Sequence, residues 1–419
     1  MEKERAKKHS ELREREREMS FSSSSAAKAT CSDPIAFEIL SRLPAKSVMR
    51  FKSVCKQWLA LASDPFFLAA HTRCNPPTFS GFLVQDAVKG PLTSFSAAGG
   101  ASPALPDPSL SSLNRRFAAS DDILVWQSCN GLLLCRTRSP WPPGLLILNP
   151  TTMQYREIPD PPTGLYPFKY QFMLAFDPST SFQYRIACFS CNITPTAFDP
   201  TASQLHVEIY SSDTGAWELS RSGETLPGCT PLHKGVYWNG ALNWISQNDL
   251  FISFDLEQQV VRTTPMPPWH HHKPILYFGE SRGHLYTIGI AADIGCCDFD
   301  WLHFHVFEMG KDDLSWSLIY NVDLNGVRDP GIISTPPDEN LLRILPDSGF
   351  FAFPVFFARG GEGEDDKLYL SNSDKIVCYN LADRTSRKIF ALNSCIRMNL
   401  PASHVIIQFF PFAHSFFSP

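Results

Sequence analysis

The sequence predicts an α+β multidomain protein, in which a small trihelical unit near the N terminus precedes a mainly antiparallel, propeller-like β domain of about six to eight blades. Three observations predict it. Residues 33–71 are dense in apolar side chains at helical spacing. From about Asp121 onward a strand–turn–strand unit recurs at intervals of tens of residues, with no crossover helix between copies. The 32 Phe, 34 Pro and 23 Gly suit many short strands joined by tight turns better than long helices.

Residues 1–30 form a charged tail and linker. Seven Lys/Arg and six Asp/Glu fall within residues 2–18, and only Leu12 and Met19 are sizeable apolar groups there, so no coiled-coil seam exists. Lys7-Lys8 is the one hint of a nuclear-import patch, diluted by the surrounding acids. A disordered tail is the favoured reading, and Ser20 to Thr30 reads as a linker.

Residues 31–75 hold the helical unit. Pro34 opens a helix behind Asp33, because a helix start leaves its first N–H groups unpaired anyway. Ile35, Ile39, Leu40 and Leu43 then recur at 3–4 residue spacing, and Pro44 ends the run. A second run follows, with Val48, Phe51, Cys55 and Trp58 on one face, Val54 and Leu59 flanking it, and Lys46, Arg50, Lys52, Lys56 and Gln57 on the wet side. Asp64-Pro65 is another cap-plus-proline signal and opens a short helix over Phe66 to His71. About 40 residues cannot bury this much apolar surface alone. The unit packs on its own second domain, as a helical hairpin docked there, or on another protein.

Residues 76–419 form the β domain, interrupted by a Ser/Ala/Gly/Pro-rich surface loop over 94–112. Leu145–Asn149 followed by Pro150-Thr151-Thr152-Met153 and Gln154–Ile158 shows the repeat fully: a strand ending in Asn or Asp, a polar turn, then a second strand. Ala175 to Tyr184 is read as a second copy and Val207 to Trp217 as a third. Ile252 to Leu256, Phe304 to Trp316 and Ile376 to Leu381 are weaker copies. Asn130-Gly131 and Asn239-Gly240 sit between apolar runs and supply the positive φ of two-residue hairpin turns. Such repetition implies sheets arranged around an axis, with an irregular β-sandwich as the competing architecture.

Composition excludes several functions. Net charge is −5, so no broad basic field tracks a phosphate backbone, and nucleic acid is not expected as a partner. No secretory signal follows Met1. The most apolar stretches, Gly349 to Ala358 and Val405 to Phe417, are too short to span a bilayer and each contains a proline, so they read as buried strands. Twelve cysteines without scaffold spacing read as reduced thiols in the cytoplasm or nucleus. Three consecutive histidines, His270 to His272, do not converge on one tetrahedral site. Cys188 and Cys191 point to opposite faces of a regular strand, and Cys296-Cys297 has the wrong spacing for a second zinc pair. His303 and His305 share a face but show no carboxylate partner in the sequence nearby. The acidic Gly360 to Asp366 run repels phosphate and reads as a blade-to-blade loop. No catalytic, cofactor or metal constellation emerges.

Phe37 to Trp58 in unbroken register, with Asp64-Pro65-Phe66 and His71, closely resembles the plant F-box consensus. Ser128 to Leu133, Asn149-Pro150-Thr151 and Gly240 to Trp244 resemble the plant F-box-associated domain, whose nearest architectural relatives are kelch-type propellers. The resemblance implies a non-catalytic subunit of a Skp–cullin–F-box ubiquitin ligase. Its F-box binds the Skp-type adaptor, and through it cullin and a RING subunit, while the β domain holds a protein substrate. Ile35, Ile39, Leu40, Leu43, Pro44, Val48, Phe51, Val54, Cys55, Trp58 and Leu59 match the family's adaptor-facing and core positions, two roles the sequence does not separate. Substrate-binding residues are unassigned. One departure stands out: Cys31-Ser32 occupies the place of the family's Leu-Pro pair. The alternatives are a glycan-binding or other propeller module with a regulatory F-box, for which Trp141, Trp269 and Trp301 are candidate contacts, and a cullin-independent F-box adaptor.

Overall fold

The computed structural model describes residues 34–86, 93–97, 105, 123–137, 144–162, 170–193, 203–220, 225–226, 235–246, 250–266, 275–291, 302–324, 353–371, 375–391, 407–417 and 419. The chain divides into two compact units, Met1–Pro76 and Pro77–Pro419. No described helix is long and apolar enough to cross a membrane.

Four short helices make up the described part of the first unit: α1 (Pro34–Ser41), α2 (Ala45–Phe51), α3 (Lys56–Leu61) and α4 (Pro65–Cys74). The second sequence-predicted run is therefore two helices rather than one. Cys55 causes the break: its backbone is extended (φ −155°, ψ 162°) and its sulfur accepts a bond from the Trp58 N–H, making it the N-cap of α3. At α4 the Asp64 carboxylate accepts from the Phe66 and Phe67 N–H groups at 2.8 and 3.2 Å, with Pro65 in the first turn. Asp33 lies outside the described residues.

The second unit is a six-bladed antiparallel β-propeller. In chain order its strands are β1 (Phe79–Asp86) and β2 (Thr93–Ser96); β3 (Ile123–Cys129), β4 (Leu132–Thr137), β5 (Leu145–Asn149) and β6 (Gln154–Ile158); and β7 (Tyr170–Ala175), β8 (Arg185–Ile193), β9 (Ser203–Ser211), β10 (Ala216–Leu219) and β11 (Thr225–Leu226). Then come β12 (Val236–Trp238), β13 (Ala241–Ile245), β14 (Leu250–Asp255) and β15 (Val261–Pro265); β16 (Ile275–Ser281), β17 (His284–Ile290), β18 (His303–Met309) and β19 (Trp316–Asp323). The last are β20 (Phe353–Ala358), β21 (Lys367–Ser371), β22 (Lys375–Asn380), β23 (Ser386–Ala391) and β24 (Ile407–Ala413). Five sheets follow this order. The sixth joins both ends of the unit, in the order β2-β1-β24, with Leu83 opposite Phe410 and Val84 opposite Phe409.

Strands β24, β3, β7, β12, β16 and β20 are the neighbouring inner strands around the ring. Apolar layers fill the spaces between blades. Phe189 meets Trp244 at 5.0 Å between the second and third sheets, and Phe79 meets Phe356 at 4.3 Å where the closing sheet abuts β20. Burial is complete for Trp244, Ile288 and Phe304.

The repeat seen in the sequence has a backbone cause. Asn149, Ser211, Asp255, Gly310 and Asn380 open the loop between the third and fourth strands of their sheets. The residue four positions on is left-handed each time: Met153 (58°), Gly215 (67°), Gln259 (54°), Leu314 (50°) and Arg384 (58°). Asn149 Oδ1 accepts from the Thr151 and Thr152 N–H groups, and Asp255 Oδ1 does the same for Glu257 and Gln258. Short polar side chains that bond two residues ahead specify such loops. The copy at Ala175 to Tyr184 occupies a different place, between the first and second strands (β7 and β8).

First-to-second-strand hairpins use Asn130-Gly131 (45°, 92°) and Asn239-Gly240 (53°, 76°), as predicted, and also Arg282-Gly283 (52°, 77°). Gly360 to Asp366 joins β20 to β21 within one blade, not two blades as the sequence reading had it. Strand β2 overlaps the start of the segment read as a surface loop. Phe95 is buried there and stacks on Phe390 at 4.7 Å, so pairing with β1 and ring packing override the loop-like composition.

Candidate functional site

The helical unit separates its apolar residues into two sets. Leu40, Val48 and Phe67 are buried with Ala36, Ala45 and Ala62. Phe37 packs on the Phe66 and Phe67 rings at 5.8 and 5.5 Å, joining α1 to α4. The polar seams are local. His71 is buried and its Nε2–H donates to the Leu43 carbonyl at 2.7 Å, while the Asn75 amide donates to the Ser41 carbonyl at 2.8 Å. Burial lowers the His71 pKa, and the bond to Leu43 opposes that shift.

The second set faces water. Ile35 is 72% exposed, Phe66 70%, Val54 61%, Ile39 55% and Leu59 48%. Phe51 and Trp58 are half-buried, with their rings edge to face at 5.2 Å, and Leu43 is also half-buried. Pro44 and Cys55 are exposed. Of the eleven positions singled out in the sequence, Leu40 and Val48 are core, whereas Ile35, Ile39, Val54 and Leu59 form the exposed apolar surface. Phe66 belongs to that surface too. Its signal was present, because Phe66 heads an amphipathic helix whose next residue, Phe67, fills the core.

In the β unit several of the residues that carried the family likeness are clasps, and one braces its own hairpin. Cys129 Sγ and the Asn130 amide both bond the Phe176 carbonyl, at 3.3 and 2.8 Å. Asn149 donates to Ser415 O, Ser415 Oγ and Phe417 O, at 3.1, 3.0 and 2.7 Å, fastening the segment after β24. Asn243 is fully buried and bonds carbonyls of its own hairpin. The Cys129, Asn130 and Asn149 bonds join separate parts of the ring, whereas Asn243 lines a small polar pocket with Ser253, Asp255 and Arg262.

The other candidates disperse. His303 pairs across the strands with Asp323 at 3.3 Å, a partner twenty residues away in sequence that the local reading missed. Cys188 is buried, and burial pushes its thiol well above the usual range; Cys129 is pushed up to about 12 by the same cause. Among the described residues no three His, Cys, Asp or Glu side chains group as a metal site. His270 to His272, Trp141, Trp269, Trp301 and the Cys31-Ser32 departure lie outside the described residues.

Comparison with known proteins agrees with the two-unit division. Residues 32–69 match the F-box domain family, and residues 102–279 match the F-box associated beta propeller domain family. The chain is 29% identical over 400 residues to the Arabidopsis thaliana F-box protein At5g07610, covering 89% of this chain and 88% of that one. It is 25% identical over 330 residues to the F-box protein At5g49610, covering 72% and 81%, and 28% identical over 214 residues to a putative F-box/kelch-repeat protein, At3g17570, covering 50% and 51%, both from Arabidopsis thaliana. An apolar helical surface open to water, a closed ring of blades and these matches lead to one assignment: the chain is an F-box protein with an F-box-associated β-propeller domain, homologous to the Arabidopsis F-box proteins.

Proposed function

We propose that this protein is the non-catalytic substrate-recognition subunit of a Skp–cullin–F-box ubiquitin ligase, acting in the cytoplasm or nucleus. The F-box docks on a Skp-type adaptor through Ile35, Ile39, Val54, Leu59 and Phe66, and the propeller holds a protein substrate. One observation carries the reading: a 43-residue described helical unit leaves five large apolar side chains 48–72% exposed. Water-facing apolar surface of that density on a small unit marks a protein contact. The matches to F-box proteins support a Skp-type adaptor as the partner. Catalysis then comes from proximity, because the assembly holds substrate lysines near a ubiquitin-charged enzyme at high effective concentration.

The test is affinity purification of the full chain with the proteasome blocked. Recovery of adaptor, cullin and cargo together supports the reading. Recovery of adaptor without cullin favours a cullin-independent F-box adaptor. Failure to retain a purified adaptor sinks the proposal.

A further inference from the structure

The two units carry charge of opposite sign. Residues 34–76 contain six Lys/Arg and two Asp/Glu, whereas residues 77–419 contain 23 Lys/Arg and 33 Asp/Glu. Both acids of the helical unit are engaged locally. Glu38 accepts from Arg42 Nε at 2.8 Å, and Asp64 caps α4. Residues 34–76 contain no other carboxylate side chain. Four of the unit's other cations, Lys46, Arg50, Lys52 and Lys56, lie along α2, α3 and the link between them, and burial lowers the Lys52 pKa. Lys52 and Lys56 bracket the exposed Val54 in sequence, and Lys56 stands one turn before Leu59 on α3. Arg50 and Lys56 are themselves exposed.

We infer that these cations form a basic rim beside the Val54–Leu59 part of the docking surface, and that the adaptor face it fits is acidic around an apolar groove. The inference rests on the adaptor reading above and adds the partner's charge and the source of the association rate. Apolar contacts hold a complex together once formed, whereas opposite charges at a rim steer the encounter and govern the on-rate. The propeller, with its acid excess, is repelled by the same acidic face, so steering also selects the end of the molecule that docks.

The experiment measures association and dissociation rates of the full-length chain with a purified Skp-type adaptor across a salt series. Between about 20 and 300 mM NaCl the on-rate falls roughly tenfold or more, while the off-rate changes less than about twofold. Replacing Lys46→Glu, Arg50→Glu and Lys56→Glu together lowers the on-rate at low salt about tenfold and leaves it unchanged at high salt. Should the triple variant melt early, Lys46→Gln with Lys56→Gln makes the same test more gently. A complex whose on-rate ignores both salt and these substitutions overturns the inference while leaving the adaptor reading standing. No complex at any salt removes both.

Discussion

In the helical unit Ile39 and Phe66 stand more than half exposed, whereas in the propeller Ile288 and Phe304 are completely covered. Among the described residues, five of the nine exposed large apolar side chains belong to residues 34–76, a small fraction of the chain. The contrast follows from geometry. Each blade of a ring has a neighbour on either side, so the apolar faces of its sheet are covered by the chain itself. Four helices of six to ten residues enclose only a thin core of Leu40, Val48, Phe67 and small alanines, and Ile35, Ile39, Val54, Leu59 and Phe66 stay exposed. Residues of one chemical type thus hold a fold in one unit and await a partner in the other.

That contrast is open to direct attack. The largest effect is expected from deleting residues 31–75: adaptor-dependent ubiquitination is abolished while substrate capture by the propeller persists, read by reconstituted ubiquitination beside a pull-down. Loss of both functions together breaks the separation. Next comes Ile288→Ala, which opens a cavity in a sealed layer and costs about 2–5 kcal/mol of stability, measured by denaturant unfolding. Restoring the family's opening pair with Cys31→Leu and Ser32→Pro adds a buried leucine worth about 1.5–3 kcal/mol, so adaptor affinity rises roughly 10–100-fold by calorimetry. Ile39→Ala is the mirror of Ile288→Ala: stability stays within about 0.5 kcal/mol, and adaptor affinity falls roughly tenfold. A stability loss at Ile39 matching that at Ile288 erases the distinction.

The smallest expected effect concerns pH. Burial holds the His71 pKa below its ordinary value despite the Leu43 carbonyl, so the folded helical unit prefers the neutral ring. Its contribution to stability is complete above about pH 6.5, where the unfolded ring is neutral as well, and declines as pH falls from there toward the lower folded value. Hydrogen exchange of helical-unit amides at about pH 7.5 and 5.5, corrected for intrinsic rates, shows the loss. His71→Gln flattens it.

Much of this architecture is legible in the residues. Asn-Gly pairs and strand-ending Asn or Asp report local backbone demands, and those demands survive whatever packs above them. Arg282-Gly283 escaped because an arginine rarely accepts a positive φ, so only the register of β16 against β17 exposes the turn. Strand β2 escaped because a single Phe95 among serines carries its burial. The split between Leu40 and Ile39 is illegible for a different reason. Adjacent apolar residues on a helix look alike in sequence, and which is covered depends on where α4 lies. Asp177 shows the opposite error: its turn resembles those after Asn149 and Asp255, yet it serves another corner of the blade. Turn chemistry states that the chain reverses, not which pair of strands it joins.

The pairing of β24 with β1 also sets an order of events during synthesis. The first strand of the ring waits for its inner neighbour until more than 300 further residues have been made, roughly half a minute at usual translation speeds. The docking helices leave the ribosome before any blade is complete. A message cut short ahead of Ile407 therefore yields a protein that keeps the exposed apolar helices but carries an unclosed ring.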